Sequence, residues 1–447
     1  QKFINGENVK DIAQNFNYKT PAFIFDLDGL GEHLCFLRAN FKGKKLCYAM
    51  KANPFLTNFI ADFVDKIEVC SDGEFEICKS YGILAHKIFY TGVYKNEQCV
   101  KKAWDYGVRS FNAESLNQLE MLCKFGDEAR IFIRLSSQNQ FSIDKQTLNK
   151  ALLKYAKNIK GIHYFGGTFR DKKIPFDLEI LHEIINCYDF EELEYGVGLG
   201  VKYFINDKFK SEQERIDELN KMLANFKIKI CLEMGRFIVA KYGLYASKVV
   251  DIKCNDGINY AILNGGMNHL NYYGQIFGMK TPQLYHFGDG VAKNWCLCGT
   301  ICSTADVLVK DISLKNLQIN DNLFFANAGA YASTEALYLF LSYAMPSIYL
   351  YKNKQFILAR DEIPTYTLNM KGKNNKLLEI LKQINDSIEY EKESNLVDDG
   401  LFSSFDILQC VSAIEENYGV EVPMSEIRNE NFNSLENISN MIERLKK

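Results

Sequence analysis

One lysine stands out by its setting. In Tyr48-Ala49-Met50-Lys51-Ala52-Asn53-Pro54, Lys51 follows an apolar run at the point where a strand would end. A lysine held there, partly desolvated, has a lowered pKa and can add to a carbonyl to form an imine. By residue type alone, such a lysine is more often a solvated surface group. Further on, Gly196-Val197-Gly198-Leu199-Gly200 is a turn whose backbone N–H groups could approach a phosphate closely. Leu232-Glu233-Met234-Gly235-Arg236 sets a carboxylate three residues before a guanidinium, a spacing shared with ordinary surface turns closed by an ion pair. Cys296, Cys298 and Cys302 cluster, but no companion Cys/His pair stands at zinc spacing, so no metal is expected.

The elements that must position these groups follow from periodicity. Eight short β-rich runs alternate with amphipathic stretches: 46–50, 67–71, 87–91, 110–114, 131–135, 161–165, 194–198 and 229–233. Lys51, Glu114, Arg134, Gly198 and Glu233 fall at or next to their C-terminal ends, which is the catalytic face of a barrel. The predicted class is therefore α/β, a (β/α)8 barrel over residues 27–242. A β domain is expected from residues 1–26 and 243–364, with strands at 21–25, 243–253, 258–263 and 322–326. Helical periodicity at 377–388, 405–418 and 435–445 predicts a small acidic helical domain over residues 372–447.

Composition narrows the partners. The 447 residues carry a formal net charge of −3 with the signs interleaved, which gives no basis for nucleic acid or membrane binding. Thirteen scattered cysteines and no secretory leader in the given sequence suit free thiols in a cytoplasmic protein.

The string Tyr48–Pro54 resembles the lysine motif of the ornithine and diaminopimelate decarboxylases, and the likeness continues in order. Ile67-Glu68-Val69-Cys70-Ser71-Asp72-Gly73-Glu74 looks like their second-strand segment, Gly196–Gly200 like their phosphate loop, and Glu233–Arg236 like their Glu-Pro-Gly-Arg motif. Gly299-Thr300-Ile301-Cys302-Ser303-Thr304-Ala305-Asp306 resembles their cysteine-containing substrate motif, and Gly329-Ala330-Tyr331 their phosphate-binding tyrosine segment. The resemblance implies pyridoxal 5'-phosphate joined to Lys51. Its phosphate would be held by Gly198, Gly200, Gly235, Arg236, Thr168 and Tyr331, and its ring nitrogen would face Glu233. Cys302 would reprotonate the substrate after carbon dioxide leaves, acting in a neighbouring subunit's site, so a homodimer with shared sites is implied. Asp306 and His269 would contact substrate. Phe165 stands where the family stacks a histidine on the ring, and a phenyl ring can also stack there. In Asn264-Gly265-Gly266-Met267-Asn268-His269, Gly265 replaces the family's acid for a distal amine, as in a subgroup associated with carrier proteins.

The tail supplies a reason. Asp399-Gly400-Leu401-Phe402-Ser403-Ser404-Phe405-Asp406 and the pattern through Pro423 resemble an acyl or D-alanyl carrier protein, with Ser404 at the position that bears 4'-phosphopantetheine and Ser403 in place of the usual Asp. A phosphopantetheinyl transferase and an adenylating enzyme that loads the amino acid are then implied partners. An amino acid held through its α-carboxylate could not lose it, so the tether must use a side-chain carboxylate, as with glutamate or aspartate. The alternatives are a decarboxylase of a free amino acid or phospho-amino acid, with the carrier used later, and a non-catalytic protein that displays the carrier.

Overall fold

The computed structural model describes residues 7–135, 140–370 and 375–446. Contacts divide the chain into two units, Gln1–Pro364 and Thr365–Lys447.

In the first unit, β1 (Ala22–Asp26) precedes a run of eight parallel strands: β2 (Lys45–Ala49), β3 (Lys66–Val69), β4 (Ile88–Tyr90), β5 (Ser110–Ala113), β6 (Arg130–Leu135), β7 (Ile159–Phe165), β8 (Glu192–Gly196) and β9 (Lys229–Met234). Each pairs with the next, and β2 pairs with β9 in the register Lys45↔Cys231, so the sheet closes into a barrel. Strands covered on both faces need apolar side chains inside and out, which is why they read as short continuous runs. Burial of all of β3, β5 from Phe111, and β8 reflects this double covering. Several barrel helices start on a capping side chain: Ser71 accepts from the Glu74 amide, Asn96 from Cys99 and Ser115 from Gln118. These caps fix the turn between strand end and helix, where the site lies.

Polar residues also face inward at the N-terminal end. Lys66, at the start of β3, pairs with Glu192 at 2.7 Å and with Glu194, and Lys45 reaches Glu192 at 2.8 Å. A buried cation so enclosed by carboxylates keeps its charge paired.

The chain then forms a sheet of β10 (Gly243–Asn255), β11 (Ile258–Leu263), β12 (Leu284–Tyr285), β13 (Ala292–Cys298), β14 (Val307–Lys315), β15 (Asn322–Phe325), β16 (Ser347–Lys352) and β17 (Gln355–Arg360), ordered β14-β13-β11-β10-β1-β16-β17, with β15 on β10 and β12 on β15. The N-terminal β1 sits between β10 and β16, so the expected contribution of the first strand to this sheet is observed.

The second unit packs helices Asn375–Ile384, Ser404–Tyr418 and Leu435–Leu445 around Leu377, Leu381, Cys410, Ile414, Ile438 and Met441. The first helix stops four residues before the expected Ile388. Ser387 donates its backbone N–H and its hydroxyl to Asn385 Oδ1, a local alternative to helical bonding, while Ile388 still reaches the core. Among the described residues no helix is long and apolar enough to cross a membrane.

Candidate active site

The C-terminal ends of the barrel strands surround a cavity of about 510 Å³. Lys51 enters from the turn after β2, its Nζ 2.6 Å from Glu68 Oε2 on β3 and 4.0 Å from Glu233 Oε1 on β9. Thr91 donates to Glu68 Oε1 at 2.8 Å. Burial works against the charge on Lys51, but Glu68 and Glu233 outweigh it and raise its pKa well above the ordinary lysine value. The sequence-based expectation of a lowered pKa is therefore corrected. In the protein alone Lys51 is a held ammonium, because two carboxylates converge on it from neighbouring strands.

A cluster of polar side chains continues across the barrel. His163 Nε2 lies 2.9 Å from Glu233 Oε2, and its Nδ1 faces the Asn112 amide nitrogen at 3.2 Å. Asn112 also meets Glu114 Oε1 at 3.1 Å, and Arg134 Nη1 donates to that oxygen at 3.0 Å. Burial depresses His163 to about 3, so the ring is neutral.

At another part of the wall, Gly166, Gly167, Thr168, Gly198, Gly235, Arg236 and Tyr331 gather. Gly198 has φ +67, and a Cβ there would lie 2.2 Å from the Gly167 carbonyl oxygen, so only glycine lets the two loops meet. Arg236 stacks on the rings of Tyr331 and Tyr273 at 4.1 and 4.9 Å, and its buried Nε has no protein partner. Tyr331 itself holds a left-handed backbone (φ 63), with its N–H donated to the Ala52 carbonyl beside Lys51. A fixed guanidinium with an unanswered donor, among glycines that leave backbone exposed, fits a phosphate; a lysine and a carboxylate next to it fit an aldehyde and a ring nitrogen. The residues present thus fit pyridoxal phosphate.

The expected residues divide into two groups. Lys51, Phe165, Thr168, Gly198, Glu233, Gly235, Arg236 and Tyr331 all line the cavity. Phe165 has room because Gly196 beside it lacks a Cβ, which would approach its ring to 2.6 Å. Gly200, Asp306, His269 and Cys302 do not line it. Gly200 donates its N–H to Asp171 and sits against Phe209, shaping the loop from behind. Asp306 is buried and accepts from the Met267 and Ile301 amides at 2.8 and 2.9 Å, tying two loops of the sheet together. His269 is buried between Tyr245 Oη at 3.0 Å and the Ala344 carbonyl at 2.9 Å. Cys302 is exposed in the turn between β13 and β14. Arg134 was placed at a strand end without a role, and Glu68, Asn112 and His163 were not singled out as site residues. The signal that could have found them is a lone polar residue inside an otherwise apolar barrel strand, which must turn inward and find partners.

A closed parallel barrel of eight strands, followed by a sheet that borrows β1, with a lysine and a phosphate-fitting cradle at the strand ends, is the architecture of pyridoxal-phosphate enzymes of the decarboxylase type. The chain belongs to that family: the family model described as pyridoxal-dependent decarboxylase, C-terminal sheet domain, matches residues 59–329. It is accordingly a carboxy-lyase that depends on pyridoxal phosphate. Diaminopimelate decarboxylase from Aquifex aeolicus is 29% identical over 370 residues, covering 74% of this chain and 86% of that protein. The decarboxylase of L-glutamyl-BtrI acyl-carrier protein from Niallia circulans is 23% identical over 409 residues, 80% of this chain and 94% of that protein. The crystal structure of AQ1208 from Aquifex aeolicus matches with a TM-score of 0.68 at 26% identity, over 81% of this chain and 93% of that one.

Proposed function

We propose that the enzyme decarboxylates an amino acid tethered through its side-chain carboxylate to 4'-phosphopantetheine on Ser404 of its own helical unit, with glutamate as the first candidate and aspartate as the second. The observation that carries this reading is the placement of two adjacent serines. Ser403 is the N-cap: its hydroxyl accepts from the Asp406 amide, and Asp406 closes the capping box in return. Ser404 is the first residue of the 15-residue helix, exposed and outside that cap. Its hydroxyl is spared for modification, with Leu401, Phe405 and Leu408 exposed around it. Asp406 already answers the helix N-terminus, so helix charge does not by itself favour a phosphate there.

The cavity agrees with a substrate that brings no distal amine. Among the described residues lining it, Glu233 is the one carboxylate. Gly265 cannot be replaced by an acid in place, because a Cβ would meet Tyr245 Oη at 2.0 Å and His269 Nδ1 at 2.6 Å. The Niallia circulans relative, by its name, acts on a glutamyl group carried by a carrier protein.

Pyridoxal phosphate, when bound, supplies an electron-accepting ring for the charge left as carbon dioxide departs. Arg236, Tyr331 and the glycine loops bind its phosphate, and Glu233 holds a proton at the ring nitrogen. Lys51 must shed a proton before it can add to a carbonyl, and the ion pair with Glu68 at 2.6 Å opposes that loss until the amine is needed. Cys302 lies outside this chain's cavity, so in this reading it serves a second copy by returning a proton to the substrate's Cα. The partners required are that second copy, a phosphopantetheinyl transferase and an adenylating enzyme that loads the amino acid. Ser404→Ala tests the reading: the variant keeps cofactor absorbance and loses product. Undiminished turnover of a free amino acid by that variant would overturn it and favour the free-substrate chemistry that the name of the diaminopimelate relative describes.

A further inference from the structure

The residues behind Glu233 form a chain of contacts whose proton positions are determined by charge. Lys95, on the loop after β4, donates to Asn112 Oδ1 at 2.8 Å and to the Gly92 carbonyl. The Asn112 amide nitrogen faces Glu114 Oε1 at 3.1 Å and His163 Nδ1 at 3.2 Å. All five side chains, Lys95, Asn112, Glu114, His163 and Glu233, are at least 91% buried. Turning the amide over would aim its oxygen at the Glu114 carboxylate and its NH2 at the lysine nitrogen, two repulsive contacts in a dry setting. The observed orientation is therefore the stable one.

That orientation fixes the imidazole. Asn112 donates to Nδ1, so Nδ1 is the acceptor and the proton of the neutral ring sits on Nε2. Nε2 is 2.9 Å from Glu233 Oε2 and donates to it. The other tautomer would set a lone pair against a carboxylate where crowding is already high. One oxygen of Glu68, one of Glu233 and a ring nitrogen of His163 all lie within 4.8 Å of one another.

We infer that His163, with its tautomer set by Asn112 between Lys95 and Glu114, is a positioning residue for Glu233. It holds Oε2 in a hydrogen bond and leaves Oε1 as the oxygen that meets the cofactor's ring nitrogen. The inference rests on the placement of Glu233 at that nitrogen but is independent of where the substrate is tethered. A carboxylate with both oxygens unanswered in the barrel would be drawn toward Lys51, 4.0 Å from Oε1, and the ring nitrogen would lose its partner. His163 thus separates the two carboxylates into two duties, with Glu68 serving the lysine and Glu233 serving the ring.

The test uses the purified enzyme loaded with pyridoxal phosphate labelled with 15N at the ring nitrogen, without substrate. The nitrogen-15 shift reports whether that nitrogen carries a proton. The expected result is a protonated nitrogen in the unsubstituted enzyme and in His163→Gln, whose amide can still donate to Glu233. In His163→Leu the shift moves toward the unprotonated range and the cofactor dissociates roughly tenfold to a hundredfold more readily. Asn112→Leu, which keeps the imidazole but frees it to turn, moves the shift in the same direction by less. An unprotonated nitrogen in the unsubstituted enzyme overturns the placement of Glu233, and this inference with it. A protonated nitrogen left unchanged by both leucine substitutions in folded, cofactor-bound protein overturns this inference alone.

Discussion

Lys51 Nζ and Glu68 Oε2 lie 2.6 Å apart, and this pair, more than the lysine's burial, decides how the site starts its chemistry. Burial favours the neutral amine; Glu68 and Glu233 reverse that and hold the ammonium. Glu68→Gln removes the nearer anion, so the Lys51 pKa falls and the amine is free at lower pH. Mixing cofactor-free enzyme with pyridoxal phosphate across pH, and following absorbance, should show the midpoint for capture moving down by about one unit or more. An unmoved midpoint would contradict the pairing.

The phosphate cradle makes a second prediction. Arg236→Met removes a charged donor whose Nε has no protein partner, and the cofactor should bind roughly tenfold to a hundredfold more weakly, measured by equilibrium dialysis. Gly198→Ala should do similar harm by a different route. It places a Cβ 2.2 Å from a carbonyl oxygen at a residue whose φ is +67.

Gly265→Asp separates packing from specificity. The Tyr245–His269 pair fills the space an acid would need, so the substitution should lower the thermal midpoint and confer no turnover of ornithine or lysine. Gain of such turnover in a stable variant would show that the space can open.

Acid should unfold the protein through its buried histidines. His163 is depressed to about 3 and His269 to about 4, both by burial, against an unfolded value of 6.5. A histidine whose folded pKa lies below its unfolded one contributes stability that is complete above pH 6.5 and lost as pH falls toward the folded value. The loss is on the order of 3 kcal/mol each by pH 4. The thermal midpoint of the cofactor-free protein should fall across that window, and His269→Gln should make the fall shallower. An identical slope in the variant would count against the assignment.

The barrel was legible because double covering writes each strand as an apolar run with its functional residue at the end. Lys51 and Glu233 could be placed at strand ends, but their roles and that of the cradle came only from the resemblance, because a strand-end lysine and a Glu-to-Arg spacing are equally common on ordinary surfaces. Glu68, Asn112 and His163 were not legible as site residues, since one polar residue inside a strand looks the same whether it plugs the floor, as Glu194 does, or serves the site. Register and barrel closure, which are long-range, make the difference. Likewise Asp306 and His269 carry motif positions, but their burial and backbone partners are properties of the folded loops.

The central claim is most directly tested by intact mass of the full chain after phosphopantetheinyl transfer and loading with glutamate through its side-chain carboxylate. With pyridoxal phosphate present, the loaded protein should lose the mass of one carbon dioxide and retain a 4-aminobutyryl thioester on Ser404, and Lys51→Ala should retain the full glutamyl mass. Absence of any modification at Ser404, or a loaded glutamyl group that stays intact in the active holoenzyme while free amino acids are decarboxylated, would contradict it.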